Sequence, residues 1–196
     1  MNFLAHAYLS FRDPQILAGN MISDFVKGKT KFTYSQRIQK GISLHRSIDA
    51  FTDAHPATAA AKAFFRPHYR LYSGAIVDVL YDHFLALDTS LFTEQSLKQF
   101  TVEVYSSLDQ QLPILPPSFA VLLPYMKTEN WLFNYRNTEG MARSLRGLIR
   151  RATFMNDHET AYNLFLQNYD ALGACYASFF TDVKTFAKEE LAQLNL

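Results

Sequence analysis

An all-α fold, a single-domain helical bundle, is predicted by three features of the sequence. Apolar residues recur at spacings of three and four through most of the chain, the period of a helix buried along one side. Alternating runs of the kind that make half-buried strands are few, and the Asn-Gly and Asp-Gly dipeptides that close tight hairpins are absent. Of the 196 residues, 48% are hydrophobic and 15% aromatic, enough for a full core without disulfides.

The first ten residues carry Asn2, His6 and Ser10 at four-residue intervals among apolar side chains. A short strand fits so brief a run as well, but the interval favours a helix with Asn2 and His6 on one face. Asp13-Pro14 marks a turn and a helix start. The stripe Ile16, Leu17, Met21, Ile22 and Phe25 then predicts a helix from Pro14 to Val26, with Asn20 and Asp24 one turn apart. Gly19 beside them lets another backbone or a ligand come near, and Gly28 stops the helix. The stretch KGKTK, Lys27 to Lys31, reads as a basic loop.

A helix is predicted over 34–52, and Pro56 ends it or opens the alanine-rich helix of 57–65. Arg66-Pro67 is expected to break that helix, and 69–88 to form the next. Helices over 93–108 and 116–127 are separated by Leu112-Pro113 and Pro116-Pro117. An aromatic segment at 130–137 leads to a basic-faced helix at 138–152. Residues 157–191 form one long run, with Gly173 as its expected break. No internal repeat, low-complexity linker or domain boundary is visible, so 1–196 reads as one domain.

Composition excludes several classes. The net charge of +1 is that of neither a polyanion binder nor an acidic tail protein. A single cysteine, Cys175, allows neither an intramolecular disulfide nor a Cys-based zinc site. No window approaches the roughly 20 apolar residues that span a bilayer. The opening MNFLAHAYLSFRD has no basic lead and carries an imidazole inside its apolar run, so it does not read as a signal peptide. A soluble cytoplasmic protein is expected. Phosphate-binding glycine loops, nucleophile elbows and zinc-finger spacings are absent.

Chemistry concentrates in the first 88 residues, which hold five of six histidines and seven of eleven aspartates. In GISLHRSIDAFTDAHP, residues 41–56, His45, Asp49 and Asp53 follow one another by four and project from one side of a helix. Asp78 and Asp82, with His83 after, repeat the pattern in the next apolar helix. Two acids and an imidazole in a column are costly to bury unpaired, and a divalent metal satisfies them together. Nine such residues (His6, Asp24, His45, Asp49, Asp53, His55, Asp78, Asp82 and His83) exceed the ligands of one ion, so some must support the ligands or carry protons. The donor set lacks sulfur and suits Mn²⁺, Fe²⁺, Mg²⁺ or Zn²⁺, its oxygen-rich versions favouring Mn²⁺ and Mg²⁺. Such a site activates water, and phosphoester hydrolysis is the leading reaction class.

Four motifs in order, MNFLAH, LAGNMISDFVKG, GISLHRSIDAFTDAHP and DVLYDHFL, resemble the acyl carrier protein phosphodiesterase family from Met1 to about Leu87, and more weakly beyond. That family looks like a rearranged relative of the HD-domain metal-dependent phosphohydrolases. The resemblance implies an HD-domain-like helical fold, a divalent cation, typically Mn²⁺ with Mg²⁺ or Fe²⁺ as substitutes, and hydrolysis of holo-acyl carrier protein to apo-acyl carrier protein and 4'-phosphopantetheine. His6, Asp24, His45, Asp49 and Asp82-His83 correspond to its motif positions. Asp82 precedes His83, the reverse of the usual dyad. On this reading Asp24, His45, Asp49, Asp82 and His83 lie at the metal. His6 and Asp53 serve as support or proton carriers, and Asp24 is the first choice for an indispensable residue.

An acidic protein substrate calls for a basic docking surface. Arg143, Arg146 and Arg150 share one helical face, with Arg151 adjoining, and KGKTK is a second patch. Arg46 is a candidate for steadying the phosphate. Two other readings use the same residues: an HD-like hydrolase of a nucleotide or other small phosphoester, and a non-catalytic helical module that docks an acidic carrier. Nucleic acid fits the neutral overall balance less well, and no membrane partner is expected. Oligomeric state is left open.

Overall fold

Gly19 and Gly41 meet where two helices cross, Pro14–Ile22 (α2) and Gln36–Ala54 (α3). A Cβ added to Gly19 would lie 2.2 Å from the Ile38 carbonyl oxygen, and one added to Gly41 would lie 2.4 Å from that of Ile16. Glycine at both positions therefore lets the two backbones touch, with Ile16, Ile38 and Ile42 buried around the crossing. Asp13 fixes the entry to α2: its carboxylate accepts from the N–H groups of Gln15 and Ile16, and Arg37 of α3 donates to it at 2.7 Å.

The computed structural model describes residues 1–151 and 157–194, and among these every regular element is helical. The all-α prediction holds. Phe3–Tyr8 (α1) packs between α2 and Ser73–Leu87 (α5). Pro56–Tyr69 (α4) lies on α5. Glu94–Gln110 (α6), Pro117–Thr128 (α7) and the short Trp131–Asn134 (α8) lead to Thr138–Arg151 (α9), which packs on α5. His158–Gln167 (α10) and Tyr169–Leu194 (α11) close the chain, α11 crossing α3, α4 and α5. Short 3-10 turns occupy Ser23–Phe25, Gly28–Thr33, Arg70–Tyr72 and Leu112–Ile114. Phe65, Tyr81, Phe119, Phe165 and Phe179 are among the largest fully buried side chains of the shared core.

Several boundaries differ from expectation for local reasons; α2 ends at Ile22 and passes into the Ser23–Phe25 3-10 turn instead of running to Val26 and Gly28. Pro67 lies inside α4, close enough to its end that only the last turn follows, and the helix stops at Tyr69, where Arg70 turns to φ 47°. The break in the C-terminal run falls at Asn168 rather than Gly173. Asn168 Nδ2 donates to the Leu164 carbonyl, and Gly173 instead leaves room for the Phe84 ring, 3.3 Å from where a Cβ would stand. The basic stretch after α2 is helical in the 3-10 sense, not a loop. Position 152 and the Arg151 side chain lie outside the described residues.

At six residues, α1 is too short to hold itself, since helix nucleation outweighs so few internal bonds. It is fixed from α5. The buried Asp82 carboxylate accepts from the backbone N–H groups of Leu4 at 2.7 Å and Ala5 at 3.1 Å, donors that no turn of α1 can satisfy. Burial outweighs these donors and lifts the Asp82 pKa to about 7.

Gly41→Ala is expected to destabilise the protein by about 3 kcal/mol, because neither backbone at the crossing can yield. At Gly147, where an added Cβ meets nothing within 4 Å among the described residues, Gly147→Ala is expected to be neutral or stabilising by up to about 1 kcal/mol. Paired denaturant unfolding curves check both; equal effects at the two glycines would contradict the close crossing.

Candidate metal centre

The α2–α3 crossing sets Asn20 against His45, and α1 brings His6 to the same place. The His45 Nδ1–H donates to the Asn20 backbone carbonyl at 2.7 Å. Asn20 Nδ2 donates to the His6 carbonyl at 3.0 Å and to Ser10 Oγ at 3.1 Å, which fixes the amide orientation. Its Oδ1 therefore faces His6 Nδ1 at 2.8 Å, so that nitrogen carries the proton. Both imidazoles are buried, stack at 3.9 Å between centroids, and turn Nε2 toward Asp49.

Asp49 Oδ1 lies 3.2 Å from His6 Nε2, and Oδ2 lies 3.1 Å from His45 Nε2. His6 Nε2 is buried and, among the described residues, makes no hydrogen bond. One donor atom from each of His6, His45 and Asp49 falls within 4.8 Å of the others, a group that could hold a metal ion. Two imidazoles whose far nitrogens are anchored on oxygens, and whose near nitrogens converge on a carboxylate, have the arrangement that ligating histidines adopt. The residues fit a divalent cation.

Asp24, in the 3-10 turn after α2, stands at the solvent side, its Oδ1 3.2 Å from His45 Nε2. The hydrogen bond to His45 is the main cause holding its carboxyl below the usual range. Burial disfavours charge on His45, but hydrogen bonds to Asp24 and Asp49 outweigh it and keep the pKa at about 9. Burial, aided by the His45 charge, lowers His6 to about 4. Burial also opposes charge on Asp49, yet His45 and the Met1 ammonium overcome it and hold that carboxyl far below the carboxylate range. The Met1 ammonium, fully buried, lies 3.1 Å from both Asp49 and Asp78.

The remaining sequence candidates sit elsewhere. Asp82 caps α1, as described above. The His83 Nδ1–H donates to the Tyr135 carbonyl at 2.6 Å and Nε2 accepts from the Tyr169 hydroxyl at 2.9 Å, so both nitrogens are engaged away from His6, His45 and Asp49. Asp53 is exposed and pairs with Lys62 at 2.6 Å. His55 caps α4 through the Ala57 N–H and reaches Asp182. Arg46 donates to the Val26 carbonyl at 3.1 Å, bracing the segment after Asp24. Arg143 and Arg150 face a groove that opens beside Asp24, whereas Arg146 donates to His158 on α10. Asn20, which positions both imidazoles, was not singled out for a role by its residue type. Its only sequence signals are Gly19 before it and Asp24 one turn later.

A family model described as acyl carrier protein phosphodiesterase matches residues 1–183. The chain belongs to this family. A relative of that name from Enterobacter sp. (strain 638) is 34% identical over 191 residues, 97% of this chain and 99% of the relative. One from Photorhabdus laumondii is 32% identical over 181 residues, 92% of this chain and 91% of the relative, and one from Yersinia enterocolitica 31% over 191, covering 97% and 99%. No solved structure matches. Among the described residues no helix is long and apolar enough to cross a membrane.

Two measurements follow from this geometry. In metal-free protein, proton NMR should show His45 charged through neutral pH and titrating near 9, with His6 neutral down to about 4. Because the folded His45 value is raised, its pairing stabilises fully below about pH 6.5 and is lost as pH rises through 9. Asn20→Leu removes the acceptor on His6 and is expected to weaken Mn²⁺ binding by about 10- to 100-fold in calorimetry. Unaltered affinity in that variant would contradict the anchoring role.

Proposed function

We propose that this chain is a divalent-metal-dependent phosphodiesterase, one helical domain over 1–196, that converts holo-acyl carrier protein to apo-acyl carrier protein and 4'-phosphopantetheine. The observation that carries the reading is the convergence of His6 Nε2, His45 Nε2 and an Asp49 oxygen within 4.8 Å, in a chain of the acyl carrier protein phosphodiesterase family. The imidazole pair with carboxylates and no sulfur favours Mn²⁺, with Fe²⁺ or Mg²⁺ as substitutes. The expected location is the cytoplasm, where the carrier substrate is handled.

His6, His45 and Asp49 hold the ion, and Asn20 keeps their geometry. A divalent ion there supplies positive charge against the phosphoryl oxygens and acidifies water. Asp24 is ionised, exposed and one contact from His45, which places a base at the open side of the site. It takes the proton of the attacking water. The water oxygen bonds to phosphorus as the bond from phosphorus to the carrier serine oxygen breaks, and the proton that Asp24 took passes to that leaving oxygen, regenerating the hydroxyl. Lys27, Lys29 and Lys31 follow Asp24 within seven residues, and Arg143 and Arg150 of α9 line the groove beside it, so basic residues adjoin the site from two elements. Attraction of an acidic carrier to them is screened by salt.

Mass spectrometry of holo-acyl carrier protein incubated with the protein and Mn²⁺ tests the reading. Loss of the phosphopantetheine mass is expected, abolished by a chelator and reduced about 10²- to 10⁴-fold by Asp24→Ala. An unchanged mass with folded, Mn²⁺-binding protein would sink it and turn attention to nucleotides or a docking role. Arg143→Glu should raise KM for the carrier, more so at low salt.

A further inference from the structure

A groove of about 550 Å³ lies between the N-terminal segment, the turn that holds Asp24, α5, α8 and α9. Its volume lies within the range of about 300–1,000 Å³ that small-molecule sites span. It begins at Asp24 and Met1, 3.2 Å from His45 and 3.1 Å from Asp49 respectively. Phe3, Phe25, Val79, Trp131 and Leu148 give it apolar walls, and Asn2, Asn134 and Ser144 add neutral polar groups. Its charged lining is divided. Asp24, Asp78 and the Met1 ammonium stand at the metal end, Glu129 is engaged by the Trp131 indole N–H at 3.0 Å, and Arg143 and Arg150 line the α9 side.

We propose that this groove is the seat of the prosthetic arm, with the phosphate at the metal centre and the pantetheine chain extended between α5, α8 and α9. The inference rests on the phosphodiesterase reading and adds where the substrate's reacting half lies. An extended chain of amides, methyl groups and a hydroxyl needs apolar walls with scattered neutral hydrogen-bonding groups, which this lining supplies. Its one charged end needs cations. Arg143 and Arg150, two turns apart and so about 10 Å along α9, offer guanidinium donors to the phosphate and the amide carbonyls. The arginines of α9 thus divide: two serve the arm, while Arg146 is turned to His158.

Two small residues make the groove what it is. Gly147 lies on its α9 wall, where an added Cβ meets nothing within 4 Å among the described residues, and Ala75 lines it from α5. Gly147→Leu fills the space with a better helix former, and Ala75→Leu fills it from the opposite wall. Neither position is among the residues assigned to the metal.

Calorimetry of 4'-phosphopantetheine binding to the Mn²⁺-loaded protein, run beside turnover of holo-acyl carrier protein and of bis(p-nitrophenyl) phosphate, tests the assignment. Both fillers should bind Mn²⁺ as the natural chain does and hydrolyse the small diester at its rate. They should bind 4'-phosphopantetheine at least tenfold more weakly and lose at least tenfold in kcat/KM on the carrier. Natural-like arm binding and carrier turnover in both variants would overturn the groove assignment while leaving the phosphodiesterase reading intact. If the natural chain itself releases no phosphopantetheine, that reading fails and the groove assignment with it. Tighter binding of a nucleoside monophosphate than of 4'-phosphopantetheine by the natural chain would also overturn it.

Discussion

The contact between Gly19 and Gly41 brings two helix backbones close enough that one can supply a ligand's support to the other. Asn20 follows Gly19, so its carbonyl reaches His45 Nδ1 across the crossing. Its side chain reaches the opposite way, to His6 and Ser10. One residue thus sets the tautomer of both imidazoles, by backbone for one and by amide for the other. Widening the crossing by a methyl group would move the carbonyl from His45 and the side chain from His6 together. The second anchor is Asp82, without which α1 has too few internal bonds to present His6 at all. The centre is therefore built from three helices held at two polar joints, one at each end of α1.

Charge at the centre is balanced in a way that leaves one conspicuous gap. Asp49 is neutralised by His45 and the Met1 ammonium, and Asp24 by His45. His6 alone faces Asp49 as a neutral base with its lone pair toward a carboxylate oxygen and no proton between them. Two acceptors at 3.2 Å repel, and burial makes the conflict costlier. A cation between them converts the repulsion into two attractions. His45 meets the same need in metal-free protein by keeping its proton, which is why its hydrogen bonds to Asp24 and Asp49 raise one ring against burial while burial lowers the other.

The helical architecture was legible because it depends on local spacing, and the column His45, Asp49 was legible for the same reason. Extending that column to Asp53 was not safe. Residues four apart on a helix advance by about 40°, so two steps carry Asp53 about 80° away from His45, toward Lys62. Asp82 and His83 are neighbours in sequence, but adjacent helical residues point about 100° apart. One meets α1 and the other meets Tyr135 and Tyr169, a division no spacing rule could assign. His6 read as a supporting residue because its short helix gives no local sign of where it docks. Asn20 is neutral and common, and its part depends on a crossing that only tertiary packing creates. The displaced helix ends at Tyr69 and Asn168 have local origins instead, Arg70 at φ 47° and the Asn168 amide on the Leu164 carbonyl.

Burial at the centre is one-sided, and that constrains how a protein-sized substrate approaches. His6 and His45 are sealed by α1, α2 and Asn20, whereas Asp24 is exposed and the groove begins there. A phosphodiester has two substituents, so if the arm fills the groove, the carrier must lie on the remaining open side. That side borders the segment after Asp24, where Arg46 braces Val26 and Lys31 is held to Ser43. The basic stretch of Lys27 to Lys31 then faces the carrier body rather than the arm, and α9 faces the arm. On that arrangement the two positive patches, equivalent by composition, would meet different parts of the substrate. Salt should accordingly weaken both contacts, because Lys27 and Lys29 on one side and Arg143 and Arg150 on the other are all exposed.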